Sequence, residues 1–257
     1  MELMTELLKR KIKMLNDLLL LSGTDIPFQQ AQISIHQPTI KEISFIGEEA
    51  FFIGCELLNF SKDVLSTEDK TNLDDKTNFE VFMSIMKDKS LTAQRGKISA
   101  FMVLTLMFPE YEIYIQKDCI SLIKGDEVHS INNQNFEIFK EIVVAMFCLK
   151  SRSSEPDYRP AGKKAKELAE KIKKGRQKAA AAKGESQKVN LLSRYISILS
   201  VGENKSFDTL LGYTVYQLFD EFNRFELKQR YDIYVQAKMA GAKDLEEVDN
   251  WMKDIHS

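Results

Sequence analysis

The chain has 257 residues, 44% of them hydrophobic and 29% charged, the balance of an ordinary soluble protein with enough length to bury a real core. Its 36 basic and 38 acidic side chains leave a formal net charge of -2, which argues against a molecule given over as a whole to nucleic acid or anionic membrane but not against a local basic patch. Three scattered cysteines, Cys55, Cys119 and Cys148, form neither a disulfide framework nor a metal knuckle and read as reduced thiols in a reducing cytoplasm.

Residues 1–21 alternate Glu, Lys and Arg with leucines, so the uninterrupted apolar stretch of a signal peptide is missing. The leucine run from Leu18 to Leu21 is much too short to span a bilayer. Leu8, Ile12, Leu15 and Leu19 instead stripe a first helix that Ser22-Gly23 stops. Glu2, Glu6 and Asp17 dilute its basic face, which favours docking on the rest of the protein over lying on a membrane.

Gln32 to Gln37 alternates polar and apolar positions, as a half-buried strand does, and Pro38 ends it. Thr39-x-x-Glu42 is a capping box for a helix expected to run in one piece to Leu58, with Ile40, Ile43, Gly47, Ala50, Phe51 and Gly54 on one side. His36, a single histidine on a strand before proline, reads as a hydrogen-bonded structural group. Residues 63–78 are polar and expected as an exposed loop. Their Asp69, Asp74 and Asp75 lack the glycine pivot and closing glutamate of a calcium loop.

Two apolar helices are predicted next, Phe79 to Met86 and Leu91 to Phe108. Glu112–Gln116, Ile120–Ile123 and Glu127–Ile131 then read as three short strands of a small antiparallel sheet. Asn132 or Asn133 is the expected cap of a helix whose Phe136, Phe139, Ile142, Val143, Met146 and Phe147 belong to the core. Residues 1–150 thus form a mixed α+β domain in which helices outweigh the sheet.

Residues 151–188 form a polar and basic linker. Proline-punctuated residues 151–160 lead into GKKAKELAEKIKKGRQKAAAAKGESQK, a Lys/Ala-rich helix whose stripe of Ala165, Leu168, Ala169 and Ile172 is narrow. Residues 151–160 and 184–188 are expected as exposed hinges. The lysines have no interleaved aromatics to stack on bases, so a solvated spacer is favoured over a nucleic-acid site.

Residues 189–257 read as a small helical unit. Leu191, Leu192, Tyr195, Ile198 and Leu199 mark one helix, and Ser206 or Asp208 caps a following turn. Thr214-x-x-Gln217 is a further capping box, starting a long helix from Val215 to about Lys238 that Gly241 closes in a left-handed cap. Leu211, Val215, Leu218, Phe222 and Phe225 form its core stripe, and Tyr216, Leu227, Tyr231 and Tyr234 a second, more amphipathic face. Asp244-x-x-Glu247 resembles one more cap, before Leu245, Val248, Met252 and Ile255 on one side and Trp251 beside them. Tyr216, Tyr231, Tyr234 and Trp251 are large, amphipathic and off the main stripes, which makes them the candidate partner-binding residues. Packing of the same side chains on the N-terminal domain is the competing reading.

No catalytic, cofactor-binding or metal-binding residues are assigned. The three histidines are scattered, and no P-loop, dinucleotide fingerprint, zinc-protease or nucleophile-elbow motif is present. An enzyme is not expected.

DYRPAGKKAKELAEKIKKGRQK, LLSRYISILSVG, TLLGYTVYQLFDEFNRFELKQRYDIYVQAKMAGAKDLEEVDNWMKDI and, earlier, ISIHQPTIKEISFIGEEAFF resemble the tail assembly chaperones of long-tailed phages and prophages of Gram-positive bacteria. The resemblance covers most of residues 32–255. It implies a binding protein of the bacterial host cytoplasm that holds the tape-measure protein and recruits the major tail protein, with a second copy of the chain as a further partner. It implies no catalysis, cofactor or membrane. Two rivals are a permanent structural component of the tail or baseplate, and a nucleic-acid-binding protein acting through residues 162–188.

Overall fold

A computed structural model describes residues 17–61, 75–88, 90–149, 190–242 and 247–253. Three of its helices start on a threonine whose hydroxyl accepts an amide three residues on, at Thr39, Thr77 and Thr214. Glu42, Glu80 and Gln217 return a bond to the threonine's own amide, so two orphan donors are satisfied at each start.

Residues 17–22 are helical and stop at Gly23, whose φ of 68° is the left-handed conformation that glycine adopts freely. Strands β1 (Ile26–Phe28) and β2 (Ile33–Ile35) pair antiparallel, with Ile26 opposite Ile35 and Phe28 opposite Ile33. The alternation around β2 was legible. β1 was not, because Ile-Pro-Phe is short and its proline is admissible only on an edge strand.

The single helix expected from Ile40 to Leu58 is two, α1 (Ile40–Ile46) and α2 (Glu48–Leu58). Gly47 lies between them at φ 84° and ψ 143°, a backbone state that no helix continues through. α3 (Asn78–Lys87) and α4 (Leu91–Met107) match their predicted spans to within a residue. The second sheet is β3 (Glu112–Ile115), β4 (Cys119–Lys124) and β5 (Glu127–Asn132), antiparallel in that order, with Ile120 opposite both Ile115 and Ile131.

α5 (Phe136–Met146) starts from Asn135, later than expected. The Asn135 side chain accepts from Asn132 N and donates to Ser130 O, while Asn132 Oδ1 accepts from Gln134 N. Those bonds close a turn before the helix can begin. α6 (Leu191–Gly202), α7 (Phe207–Leu211) and α8 (Val215–Met239) complete the chain, which is α+β and predominantly helical. The Lys/Ala-rich linker and its hinges, the start of the first helix, Asp69 and Asp74 lie outside the described residues.

One contiguous buried cluster runs from Leu20 through Phe28, Phe51, Phe82, Phe108 and Phe139 to Leu192, Leu199, Leu210, Val215 and Leu218. Its aromatic rings interlock. Phe108 stacks on Phe139 at 6.2 Å, and Phe51 meets Phe147 edge-on at 4.9 Å. α6 has no side-chain cap of its own, and Glu48 at the start of α2 accepts from Leu192 N at 2.8 Å instead.

α8 is set in place at its first turn. Ile40 N donates to Tyr213 O at 2.8 Å, and Thr39 and Thr214 form an isolated antiparallel bridge, so the starts of α1 and α8 lie side by side. The carbonyls at the end of helix 17–22 are taken up beside this junction. Gln37 Nε2 donates to Leu19 O at 3.1 Å and Thr24 O at 2.6 Å, and Gln217 Nε2 donates to Leu21 O at 2.7 Å.

α2 and α4 cross closely at Gly54, where an added Cβ would lie 2.4 Å from the carbonyl oxygen of Ser99. Backbone cannot yield as a side-chain tip does, so Gly54→Ala should cost about 1–3 kcal/mol. At Gly96 in α4 the same atom meets only Leu57 at an ordinary 3.7 Å, and Gly96→Ala should gain roughly 0.5–1 kcal/mol of helix propensity. Urea midpoints of the two variants, moving in opposite directions, check the crossing.

Candidate interaction surface

At about 1.5 Å per residue α8 is about 36 Å long, and only its first part carries fully buried residues. Val215, Tyr216 and Leu218 are buried, and Phe219, Phe222 and Phe225 pack against the core. Phe222 stacks flat on Tyr195 of α6, with ring centroids 3.6 Å apart. Phe225 lies over Gly202, where a Cβ would come within 2.4 Å of the ring, so glycine at the end of α6 is what admits it.

Beyond Phe225 no residue of α8 is buried. Residues 226–239 continue the helix for about four turns. Leu227, Tyr231, Tyr234 and Val235 recur at helical spacing as half-exposed side chains, while Ile233 is 65% and Met239 84% exposed. Glu226–Arg230 and Lys228–Asp232 are ion pairs one turn apart, and Lys238 lies 5.4 Å from the Tyr234 ring centre.

The four candidate binding residues do not share a place. Tyr216 is only 8% exposed and its hydroxyl donates to Asp17 Oδ1 at 3.2 Å, so its expected role as a contact for partners is corrected to that of a core residue. The reason is the first helix: residues 17–22 come to rest on the face that a helical wheel of α8 alone leaves free. Tyr231 and Tyr234 are half-buried on the far end of α8, and Trp251 is half-buried at its foot.

The helix expected from Asp244 onward is absent over residues 247–253, which form coil and a turn. Arg224 Nη1 donates to Trp251 O at 2.7 Å and to Lys253 O at 2.6 Å, and Asn250 Oδ1 accepts from Met252 N. Side chains thus hold backbone groups that a helix would need for itself. Leu245 and Ile255 lie outside the described residues. Trp251 lines an open groove of about 490 Å³ with Leu21, Tyr213, Asp220, Arg224 and Phe225. Arg224 was not singled out by the sequence, although an arginine on the otherwise aromatic Tyr216–Leu227–Tyr231 face is a visible signal.

Burial and neighbouring charge shift three titratable groups of the core and its margin. Burial lowers the Lys205 ammonium, but its bonds to Glu221 and to the Tyr213 hydroxyl outweigh that and raise its pKa. Burial, then the charge of Asp220, pushes the Cys148 thiol up to about 12, and burial raises the Cys55 thiol as well. Both thiols are therefore protonated and poor nucleophiles at neutral pH.

A second open cavity, of about 610 Å³, lies at β2 and the end of α4, lined by Asp25, Ser34, His36, Glu110 and Tyr111 among others. His36 places Nδ1 3.0 Å from Asp25 and Nε2 3.4 Å from the Glu42 carboxylate, and its main-chain N–H donates to Met107 O. It ties three elements together, the structural role read from sequence. Burial lowers its pKa, yet the bonds to Asp25 and Glu42 prevail and raise it. Among the described residues no cluster of three or more His, Cys, Asp or Glu is arranged for a metal ion, and no described helix is long and apolar enough to cross a membrane.

Residues 182–256 match the model of a domain family described as the YomV second domain, a phage-derived family. The match gives the chain a phage association, and it spans α6, α7, α8 and the segment with Trp251. No curated protein and no solved structure matches the chain.

Two outcomes test this geometry. Tyr216→Ala should lower stability by about 2–4 kcal/mol, as loss of a buried aromatic does, whereas Tyr231→Ala and Tyr234→Ala should stay within about 0.5 kcal/mol of the parent in denaturant melts. The second concerns pH. His36, raised in the fold, stabilises fully below its ordinary value of 6.5 and loses that contribution as pH rises through its folded value. Glu42 is lowered: burial alone would raise its pKa, but the bonds from Thr39 and His36 prevail, so its contribution is lost only in acid, as pH falls below 4.5. Between about pH 6 and about pH 8.5 the parent should therefore lose stability relative to His36→Gln, as urea unfolding at the two ends would show.

Proposed function

We propose that the chain is a tail assembly chaperone of a long-tailed phage, a non-catalytic protein that holds the tape-measure protein in the host cytoplasm and recruits the major tail protein around it. The observation that carries this reading is the half-exposed far end of α8. A helix that leaves the core at Phe225 and continues to Met239, with Leu227, Tyr231, Tyr234 and Val235 on one face, is built to meet another amphipathic helix. Tyrosine supplies broad contact area at low rotamer cost, and here it stands on a rigid element. The phage-derived family matched over this part of the chain supports the phage association on which the reading builds.

The experiment is recovery of the tagged protein from cells producing phage, with mass spectrometry of what comes with it and of purified virions. Tape-measure protein in the first sample and none of this chain in the second is the expected outcome. Stoichiometric presence in virions would instead make it a structural part of the tail. In the same assay Tyr231→Ala combined with Tyr234→Ala should reduce tape-measure recovery at least about tenfold, the loss of roughly 1.4 kcal/mol or more at a binding hot spot.

A further inference from the structure

Among the described residues, one side chain, that of Arg224, hydrogen-bonds the segment carrying Trp251 to the body. Arg224 lies about 22 Å back along α8 from Met239, so the chain that leaves the helix at Gly241 comes back along it. There Arg224 Nη1 spends its bonds on two neutral carbonyls, Trp251 O and Lys253 O. Among the described residues the remaining bonds of residues 247–253 are internal: Asn250 with Met252 N, Lys253 N with Asn250 O, and Lys253 with Asp249. Trp251 is half-buried in the groove with Leu21 and Phe225, while Met252 beside it is 70% exposed.

We propose that residues 247–253 form a releasable strap, latched by Arg224, that occupies the foot of the α8 binding face until a client displaces it. The proposal rests on the reading of α8 as the client surface. It also specifies the client: an amphipathic helix with a carboxylate flanking its apolar stripe. The apolar side chains replace Trp251 against Phe225 and Leu21. The carboxylate takes the Arg224 guanidinium in a two-bond fork with full opposite charge, where the strap offers it only neutral carbonyls. Release of one set of contacts is thus compensated by the other, and the exchange is reversible.

Trp251 is the only tryptophan of the chain, so its emission reports the strap without any label. In the full-length protein Arg224→Gln should shift that emission to the red and raise acrylamide quenching about twofold, with helix content by circular dichroism unchanged. Unchanged emission and quenching would overturn the latch. Trp251→Ser weakens the strap from its own side. If the strap is closed about nine-tenths of the time, a synthetic tape-measure helix should bind this variant about tenfold tighter than the parent. Equal affinity overturns the competition, and weaker affinity overturns it too, because Trp251 is then itself a client contact. Binding by neither protein overturns the client reading of α8 and the competition with it. The emission of Arg224→Gln is read without client, so it separates failure of the latch from failure of the client reading.

Discussion

The placement of everything C-terminal depends on the junction of two helix starts. Thr39 and Thr214 face each other across a backbone bridge, and each is locked by its own capping box. Gln217 does two jobs there. Its Oε1 accepts from Thr214 N to close the start of α8, and its Nε2 donates to Leu21 O at the end of helix 17–22. Gln37 secures Leu19 O and Thr24 O from the other side. Three chain segments far apart in sequence are thereby fixed by directional bonds, while buried apolar contacts supply most of the stability. The junction decides where α8 points, which of its faces is covered, and how much of it is left over.

The capping boxes at Thr39 and Thr214 were legible because their chemistry is local: residue types at a spacing of three, followed by an apolar run. The three strands from Glu112 to Asn132 were legible for a similar reason, alternation interrupted by turn formers. What failed was decided by neighbours distant in sequence. A wheel of α8 places Tyr216 with Tyr231 and Tyr234, and only the arrival of Asp17 and its helix separates them. Trp251 read as part of a terminal helix until Arg224, on another element, claimed its carbonyl. Gly47 is a different case. It sits at helical spacing in the apolar pattern, and pattern carries no information about its φ.

The titratable groups near the foot of α8 are held in their ordinary protonation states. Cys148 and Tyr216, both near Asp220, are held in their neutral forms by burial first and by neighbouring charge second. Lys205 is committed to Glu221 and Tyr213. Lys205 and Tyr216 also tie the foot of α8 to its neighbours, through Glu221 and through Asp17 of the first helix.

Continuity is what would make the far end of α8 a usable surface. An isolated peptide of the length of residues 226–239 would be marginally helical in water, because the first turn is costly to nucleate. Here the nucleus is Val215 to Phe225, already ordered by Tyr195, Gly202 and the core, so each further residue only propagates the helix. Ion pairs one turn apart, Glu226–Arg230 and Lys228–Asp232, each add about 0.2–0.5 kcal/mol to that propagation. The tyrosines are therefore presented on a backbone whose conformational entropy was lost during folding. A client that docks on them does not have to order the surface it meets, and more of its contact energy remains as affinity. The same economy applies to the proposed strap at the foot of the helix: the segment that Arg224 holds also meets a surface already in place, and a modest contact suffices to occupy it.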